Sequence, residues 1–243
     1  MSVAGRTVVI GGATSTSGVA AVRELAHAGA RVIAVGRDPD KLDSLLFNVT
    51  RARGEGDDGG AENVRTEVCD LTDEASVARL VQRVHDADGA VDGVVHLVGG
   101  WRGGGGLAGQ NEVDFRFLEG SFTALRHLSR ACDSDLKASG AGRLAVVSST
   151  AVARPLAGGA NYAAVKSATE AWARAVAQGY AKDARDAARP LTAAAVIFRV
   201  TSLAGLEEAL ARRFVDLWNA PATRLNDTTL DLTAPDSSSI GQP

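Results

Sequence analysis

The sequence has few of the residues that would indicate a secreted, metal-binding or membrane protein. Its two cysteines, Cys69 and Cys132, lack the spacing of a metal site. We therefore interpret them as buried apolar side chains in a reducing compartment, not as a disulfide framework. The net charge of −3 argues against a nucleic-acid or anionic-membrane surface. No apolar run approaches membrane-spanning length and the first predicted strand leaves no room for a signal peptide, so we expect a cytoplasmic protein.

Short apolar runs alternate with amphipathic helical patterns along the chain. This alternation predicts an α/β, Rossmann-like doubly wound parallel sheet of about seven strands with helices on both faces. Residues 1–233 are expected to form one domain, with an exposed loop near 51–62 and a disordered tail at 234–243. The predicted strands are residues 7–10, 31–35, 64–69, 91–98, 143–148, 191–198 and 228–232. The predicted helices are residues 18–28, 39 onward, 73–86, 112–139, 160–185 and 206–218.

Three polar residues in the second half of the chain form a candidate catalytic group. In a helix over residues 160–185, Tyr162 and Lys166 lie one turn apart on one face. An ammonium within reach favours the phenolate, so Tyr162 could act as an acid or base nearer neutral pH than a free tyrosine. Ser149 follows a predicted strand and would lie at the carboxyl end of the sheet beside this pair. The alternative is a helical tyrosine and a solvated lysine without chemistry.

A glycine- and hydroxyl-rich loop, residues 11–18, connects the first predicted strand to the first predicted helix. Ligands of parallel α/β sheets bind at the carboxyl ends of the strands, with phosphates at helix N-termini. The hydroxyls of Thr14, Ser15 and Thr16 can also bind phosphate oxygens. A turn without a ligand is the alternative.

Together these residues resemble the short-chain dehydrogenase/reductase family, from about residue 7 to residue 232. Gly12 and Gly18 match the family's T-G-x-x-x-G-x-G loop, whereas Thr16 replaces its middle glycine. The resemblance implies that Tyr162 is the general acid or base, that Lys166 lowers its pKa and binds the nicotinamide ribose, and that Ser149 orients the substrate carbonyl. The cofactor would then supply the hydride chemistry.

The resemblance also implies a cofactor site. Arg37, at the end of the second strand, favours NADP over NAD because an arginine there accommodates a 2′-phosphate. Asp38 could instead pair with Arg37 or cap the next helix. Asp70 matches an adenine-contacting residue, with a helix cap as the alternative. The expected cofactor contacts are Gly12, Thr14, Ser15, Thr16, Gly18, Arg37, Asp70, Leu71, Gly99, Tyr162, Lys166 and Val200.

The sequence departs from the family pattern at several positions. Phe117 stands where the family has the asparagine that holds a water, and residues 96–99 keep only Gly99 of N-N-A-G. We expect His96 to be a hydrogen-bonded core or cleft residue and expect no metal site. The sixth strand lacks the usual P-G ending and carries Arg199, which is either a substrate or phosphate ligand or a solvated charge.

Residues 98–104 resemble the G-G-W-x-G-G loop of dihydropteridine reductases, a branch of the family. Trp101 would give a ring substrate a flat wall to stack on, or it is a loop side chain packed on the sheet edge. The leading hypothesis is an NADPH-preferring reductase of a carbonyl or similar small substrate, with Trp101, Ser149 and Arg199 at the substrate. The alternatives are a non-catalytic binding or regulatory scaffold and a dihydropteridine reductase-like ring reductase. We expect a homotetramer or homodimer that uses helices near 111–139 and 160–185.

Overall fold

The computed structural model describes residues 2–51 and 61–232, and its strands and helices alternate along the chain. Residues 52–60 of the loop predicted at 51–62, and the predicted tail at 234–243, lie outside these residues. The strands are β1 (Thr7–Gly11), β2 (Arg31–Gly36), β3 (Val64–Val68), β4 (Gly93–His96), β5 (Arg143–Ser149), β6 (Ala194–Val200) and β7 (Thr228–Asp231). The α-helices are α1 (Thr16–His27), α2 (Pro39–Arg51), α3 (Glu74–Asp88), α4 (Glu112–Ala131), α5 (Asp133–Ala138), α6 (Ala160–Asp186), α7 (Glu207–Asp216) and α8 (Ala222–Leu225).

The seven strands form one sheet in the order β3-β2-β1-β4-β5-β6-β7, and every neighbouring pair is parallel. This confirms the predicted doubly wound sheet. The chain proceeds outward from β1 to β3, then returns to place β4 on the other side of β1. A crevice therefore opens between the carboxyl ends of β1 and β4, where ligands bind in sheets of this kind.

Apolar side chains of the central strands alternate between two cores, one on each face of the sheet. Ile10 and Phe198 belong to the core that α1 and α7 cover, which includes Trp218. Val9 and Ile197 belong to the other core, which α3, α4 and α6 cover. Burying a side chain of this size stabilises the fold by about 1.5–3 kcal/mol, so coverage on both faces accounts for the nearly continuous apolar strands.

Several element boundaries differ from the predicted ones. The predicted helix over 112–139 is two helices that meet at Cys132, and Asp73 caps α3 by accepting a hydrogen bond from the Ser76 N–H rather than lying in its first turn. The predicted strand 191–198 is Ala194–Val200, because its last residues pair with Ser148 and Ser149 of β5. In the described ranges, no helix has the length and apolar character needed to cross a bilayer.

Candidate active site

Two cavities lie along the carboxyl edge of the sheet. The larger, of about 1050 Å³, lies beside β4, β5, β6 and the start of α6. The smaller, of about 670 Å³, lies beside β2 and the turn that follows β3. Both are lined by Ser15, Leu97, Val98 and Gly99, so they adjoin at the switch point between β1 and β4.

The three predicted catalytic residues all line the larger cavity. Ser149 is the last residue of β5 and is buried, and its hydroxyl accepts a hydrogen bond from the Ala151 N–H at 3.2 Å. Tyr162 lies in the first turn of α6. Lys166 follows one turn later, with its Nζ 5.8 Å from the centre of the Tyr162 ring, and donates to the Val147 carbonyl at 2.8 Å.

The electrostatics of Tyr162 and Lys166 differ from the sequence argument. Burial raises the pKa of Tyr162, and the hydrogen bond with Ser149 offsets only part of this rise. Burial also lowers the pKa of Lys166 to about 8. The lysine charge alone would lower the pKa of Tyr162, but the loss of hydration on burial is the larger effect in the folded protein. Tyr162 therefore keeps its proton at neutral pH, as a residue that donates a proton to a carbonyl requires.

Gln110, which the sequence reasoning missed, connects the glycine-rich segment 99–109 to the start of α6. Its Oε1 accepts a hydrogen bond from the Asn161 N–H at 3.2 Å, next to Tyr162. Its Nε2 donates to the carbonyls of Gly104 and Gly158 at 3.1 and 3.0 Å. Gly159, the N-cap residue of α6, makes no side-chain cap hydrogen bond, so Gln110 satisfies an N–H that would otherwise lack a partner. A glutamine beside a glycine-rich run carries no signal of this role.

The loop between β1 and α1 has the shape that the glycine pattern predicts. Ser15 caps α1 by accepting a hydrogen bond from the Gly18 N–H at 3.0 Å. Gly12 has a φ of +82°, and a Cβ there would lie 2.7 Å from the Leu97 backbone. A Cβ on Gly18 would lie 2.4 Å from the Gly12 carbonyl oxygen. Gly18 lines neither cavity, so the structure assigns it to close packing beneath the loop rather than to direct contact with a cofactor.

The remaining predicted contacts of the loop, Gly12, Thr14, Ser15 and Thr16, line the two cavities. Gly12 and Thr14 line the smaller cavity, and Ser15 lines both. Thr16 lines the larger cavity, where it is exposed as the first residue of α1. The Ser15 hydroxyl already donates to the Gly12 carbonyl at 2.9 Å, so its proton is engaged within the loop.

The smaller cavity is lined by Arg37 and by a second basic residue, Lys41, which the sequence reasoning did not single out. Asp38 caps α2 by accepting a hydrogen bond from the Lys41 N–H at 3.2 Å, which settles the alternatives for Asp38 in favour of the cap. Within residues 2–51 and 61–232, Arg37 has no hydrogen-bond or ion-pair partner. It is an exposed guanidinium facing an open cavity.

Asp70 and Leu71 form the neighbouring wall of the smaller cavity. The Asp70 carboxylate accepts hydrogen bonds from the Thr72 N–H and hydroxyl at 2.9 and 2.7 Å. These bonds lower the pKa of Asp70, with a smaller contribution from Arg37. Asp73 provides the cap of α3, so the alternative role of Asp70 as a helix cap is wrong.

The predicted substrate role of Arg199 is contradicted by its contacts. Its Nε and Nη2 donate to the two carboxylate oxygens of Glu170 at 3.0 and 2.7 Å. Ser148 donates to the same carboxylate at 2.7 Å. Successive strand residues point to opposite faces, so Val200 lines the larger cavity whereas Arg199 faces α6. Arg199 is neither a cleft ligand nor a solvated charge.

The remaining positions singled out from the sequence lie around the two cavities. Trp101 lines it and is 61% exposed, which rules out tight packing on the sheet edge. Phe117 lines the smaller cavity, with the Arg102 guanidinium 4.0 Å above its ring. His96 is buried, as expected, with Nε2 3.0 Å from the Ser121 carbonyl oxygen. Across the described part of the chain, no group of His, Cys, Asp and Glu side chains has the arrangement of a metal site.

Comparison with known proteins agrees with this geometry. The sequence is 30% identical over 183 residues to a tropinone reductase homolog of Arabidopsis thaliana, covering 75% of this chain and 66% of that protein. It is 32% identical over 95 residues to an uncharacterized oxidoreductase of Staphylococcus haemolyticus, covering 39% of this chain and 37% of that protein. The matched stretches thus span less than two thirds of either relative.

Solved structures share the fold at lower sequence identity. A metagenomic short-chain oxidoreductase in complex with NADP superposes with a TM-score of 0.79 at 24% identity, covering 97% of this chain and all of that one. L-sorbose reductase from Gluconobacter frateurii, complexed with NADPH and L-sorbose, gives a TM-score of 0.78 at 18% identity, covering 96% of each chain. A family model described as short chain dehydrogenase matches residues 6–185. This match covers most of the chain, and the protein therefore belongs to the short-chain dehydrogenase family of oxidoreductases.

Proposed function

We propose that this protein is an NADPH-preferring reductase of a small carbonyl compound. One observation carries the proposal: Ser149, Tyr162 and Lys166 line a single cavity at the carboxyl edge of the sheet, and the adjoining cavity is lined by Arg37, which has no hydrogen-bond or ion-pair partner among the described residues. The named ligands of the solved relatives, NADP and NADPH, support the same cofactor class.

The crevice fits a dinucleotide on the residues present. Gly12 keeps the loop after β1 flat against the backbone at Leu97, because a Cβ at position 12 would clash there. In our proposal the N-terminus of α1 holds the pyrophosphate, Asp70 and Leu71 hold the adenine end, and Gly99 and Val200 flank the nicotinamide end. The bound nicotinamide would supply the hydride.

The chain's own contribution to the reaction is a proton and the position of the carbonyl. Tyr162 is protonated at neutral pH and donates its proton to the carbonyl oxygen in the reductive direction. Ser149 shares a hydrogen bond with Tyr162 and holds the same oxygen. Lys166 has three N–H groups, of which Val147 accepts one, so two are available to hold ribose hydroxyls and to stabilise the phenolate left after proton transfer.

The preference for NADPH rests on charge at the nucleotide end. Arg37 lines the smaller cavity with no hydrogen-bond or ion-pair partner in the described chain, and Lys41, whose Nζ lies 3.6 Å from the Asp38 carboxylate, lines the same cavity. A guanidinium binds a phosphate through two parallel hydrogen bonds, which the ribose hydroxyl of NADH does not offer. The Asp38 carboxylate caps α2 and forms its ion pair with Lys41 instead of Arg37.

The substrate end of the larger cavity is mainly apolar. Trp101 and Leu156 line it and are 61% and 71% exposed, so a substrate with an apolar or ring-shaped body would cover both. Trp101 is also what favours the second candidate, a dihydropteridine reductase-like ring reductase. A pterin analogue that quenches Trp101 fluorescence only in the presence of cofactor would favour that candidate.

The proposal is tested by titrating NADPH and NADH into the wild-type protein and into Arg37→Gln, following tryptophan and reduced-cofactor fluorescence. We expect tighter binding of NADPH in the wild type and loss of this difference in Arg37→Gln. Turnover of a carbonyl panel should disappear in Tyr162→Phe while NADPH still binds. If the wild type binds neither cofactor, the protein is a non-catalytic scaffold.

Two further expectations belong to this proposal. We propose a cytoplasmic enzyme, because reduced cytosolic conditions suit the two buried free cysteines. We also propose a homodimer or homotetramer formed through α4 and α6. Sedimentation of the purified protein gives the oligomeric state directly.

A further inference from the structure

His96 presents a buried nitrogen without a hydrogen-bond partner at the wall of the larger cavity. Its Nε2 lies 3.0 Å from the Ser121 carbonyl oxygen, which can only accept, so Nε2 carries the ring proton. Burial and the nearby Lys166 charge lower the pKa of His96 to about 3, so the ring is neutral. Nδ1 is therefore a bare acceptor, and in the described chain no group satisfies it.

Lys166 presents the complementary excess of donors at the same cavity. Its ammonium has three N–H groups and gives one to the Val147 carbonyl. His96 and Lys166 line the same cavity, and the lysine charge acts on the imidazole. No direct hydrogen bond joins the two side chains. A buried acceptor without a partner and an ammonium with N–H groups to spare, on two side chains that line one cavity, are the polar partners that an ordered water bridges.

Neighbouring groups do not satisfy His96 Nδ1 in place of a water. The Ser121 hydroxyl, on the helix that packs over His96, donates to the Leu118 carbonyl at 2.6 Å. Tyr162 lies on the same helix as Lys166 and shares its hydrogen bond with Ser149. Glu170, one turn beyond Lys166, is occupied by Arg199 and Ser148.

We propose that a bound water molecule links Lys166 Nζ to His96 Nδ1 and holds the Lys166 ammonium in the cleft. His96 is then a positioning residue that acts through Lys166 and does not itself transfer a proton. An acceptor that reaches the ammonium through a water stabilises the charged form. The link therefore opposes the effect of burial and helps to keep Lys166 charged at neutral pH.

Two substitutions separate the nitrogens of His96. In His96→Gln the side-chain amide reaches the position of Nε2 and can still donate to the Ser121 carbonyl, but the acceptor at the position of Nδ1 is lost. In His96→Asn the amide oxygen stands near the position of Nδ1, and the bond to Ser121 is lost. The two variants therefore test the acceptor and the structural hydrogen bond separately.

The first measurement is the pKa of Lys166 in the cofactor-free protein, followed by NMR of a lysine labelled at its ε-carbon. We expect the pKa to fall by about one unit in His96→Gln, since a hydrogen bond to a charged group has an effect of this size, and to stay near the wild-type value in His96→Asn. Equal pKa values in both variants, or a fall only in His96→Asn, would overturn the proposal. Near-ultraviolet circular dichroism confirms that each variant is folded.

The second measurement is the ¹⁵N chemical shift of His96 Nδ1, which distinguishes a hydrogen-bonded acceptor from a free one. We expect the hydrogen-bonded value in the wild type and the free value in Lys166→Met. A free value in the wild type overturns the water link. Although the functional meaning of the link rests on the proposed reductase activity, neither measurement uses turnover, so failure of the link and failure of the activity are distinguishable.

Discussion

Replacing Glu170 with glutamine should destabilise the protein through a charge cluster that lies behind the cleft. Glu170 is 5% exposed and accepts hydrogen bonds from Arg199 and Ser148, with Arg174 3.7 Å away. Glutamine keeps the shape and removes the charge, which takes from the partly buried Arg199 guanidinium its hydrogen-bonded carboxylate and leaves Asp231 as a weaker electrostatic partner. Removing one partner of a buried pair costs about 3–5 kcal/mol, and we expect roughly 3 kcal/mol because the Arg199 side chain is 24% exposed.

The assay is urea unfolding of four proteins: wild type, Glu170→Gln, Arg199→Met and the double variant. A loss of roughly 3 kcal/mol lowers the urea midpoint by about 1 M for a slope near 3 kcal/mol per M. Arg199→Met should lose a similar amount, because it leaves the Glu170 carboxylate buried. The double variant should lose less than the sum of the single losses by at least about 1 kcal/mol. Additive losses, or a loss below about 0.5 kcal/mol in Glu170→Gln, would refute the assignment.

The same cluster predicts a pH dependence with a definite sign. Burial alone raises the pKa of Glu170, but the hydrogen bonds from Arg199 and Ser148 outweigh it and the net pKa is lowered. A carboxylate with a lowered pKa stabilises the folded state fully above its unfolded pKa of about 4.3 and loses this contribution as pH falls through the folded pKa. The stability difference between wild type and Glu170→Gln should therefore be constant near pH 7 and shrink below about pH 4.

The remaining predictions concern the cofactor loop, α6 and Lys166. Gly18→Ala should weaken NADPH binding about tenfold or more in the fluorescence titration, because the added Cβ would lie 2.4 Å from a backbone carbonyl oxygen. The control is Gly140→Ala, whose Cβ has no atom within 4 Å, and this variant should bind NADPH like the wild type. Gly179→Ala should raise the free energy of unfolding by about 0.5–1 kcal/mol, because alanine favours the helical conformation of α6 and its Cβ would have no atom within 4 Å. A lowered urea midpoint would contradict this. The value of kcat/KM should fall as pH rises through about 8, where the Lys166 ammonium loses its proton. If kcat/KM stays constant well above pH 8, Lys166 has no role in the mechanism.

Much of the fold could be predicted because the sheet is covered on both faces. A strand such as β2 must be apolar throughout, and the sequence places it at 31–35 against the observed Arg31–Gly36. Helix ends were harder to place, because they depend on single capping contacts. Cys132 lies inside a continuous helical pattern, and nothing local to it shows that α4 ends there and α5 begins.

The site was predictable where its residues follow strand ends, and unpredictable where partners come from distant segments. Ser149, Tyr162 and Lys166 meet at one cavity because strand and helix periodicity fix where each side chain points. Arg199 was misassigned because β6 ends two residues later than its pattern indicated, and its partner Glu170 lies on another element. The sequence argument also missed the desolvation that raises the pKa of Tyr162, since burial is a property of the assembled fold.

The cofactor loop departs from the family's glycine motif at Thr16, and the structure shows what this departure changes. Judged as a motif, the change to Thr16 weakens the case for a nucleotide site. Judged by geometry, Gly12 and Gly18 are the positions where a Cβ would strike backbone, whereas the Thr16 side chain is exposed at the start of α1. The two retained glycines are therefore those that the shape of the loop requires. The departure at Thr16 changes the surface offered to a phosphate and leaves the loop's backbone intact, so it argues for altered cofactor contacts more than for a lost site.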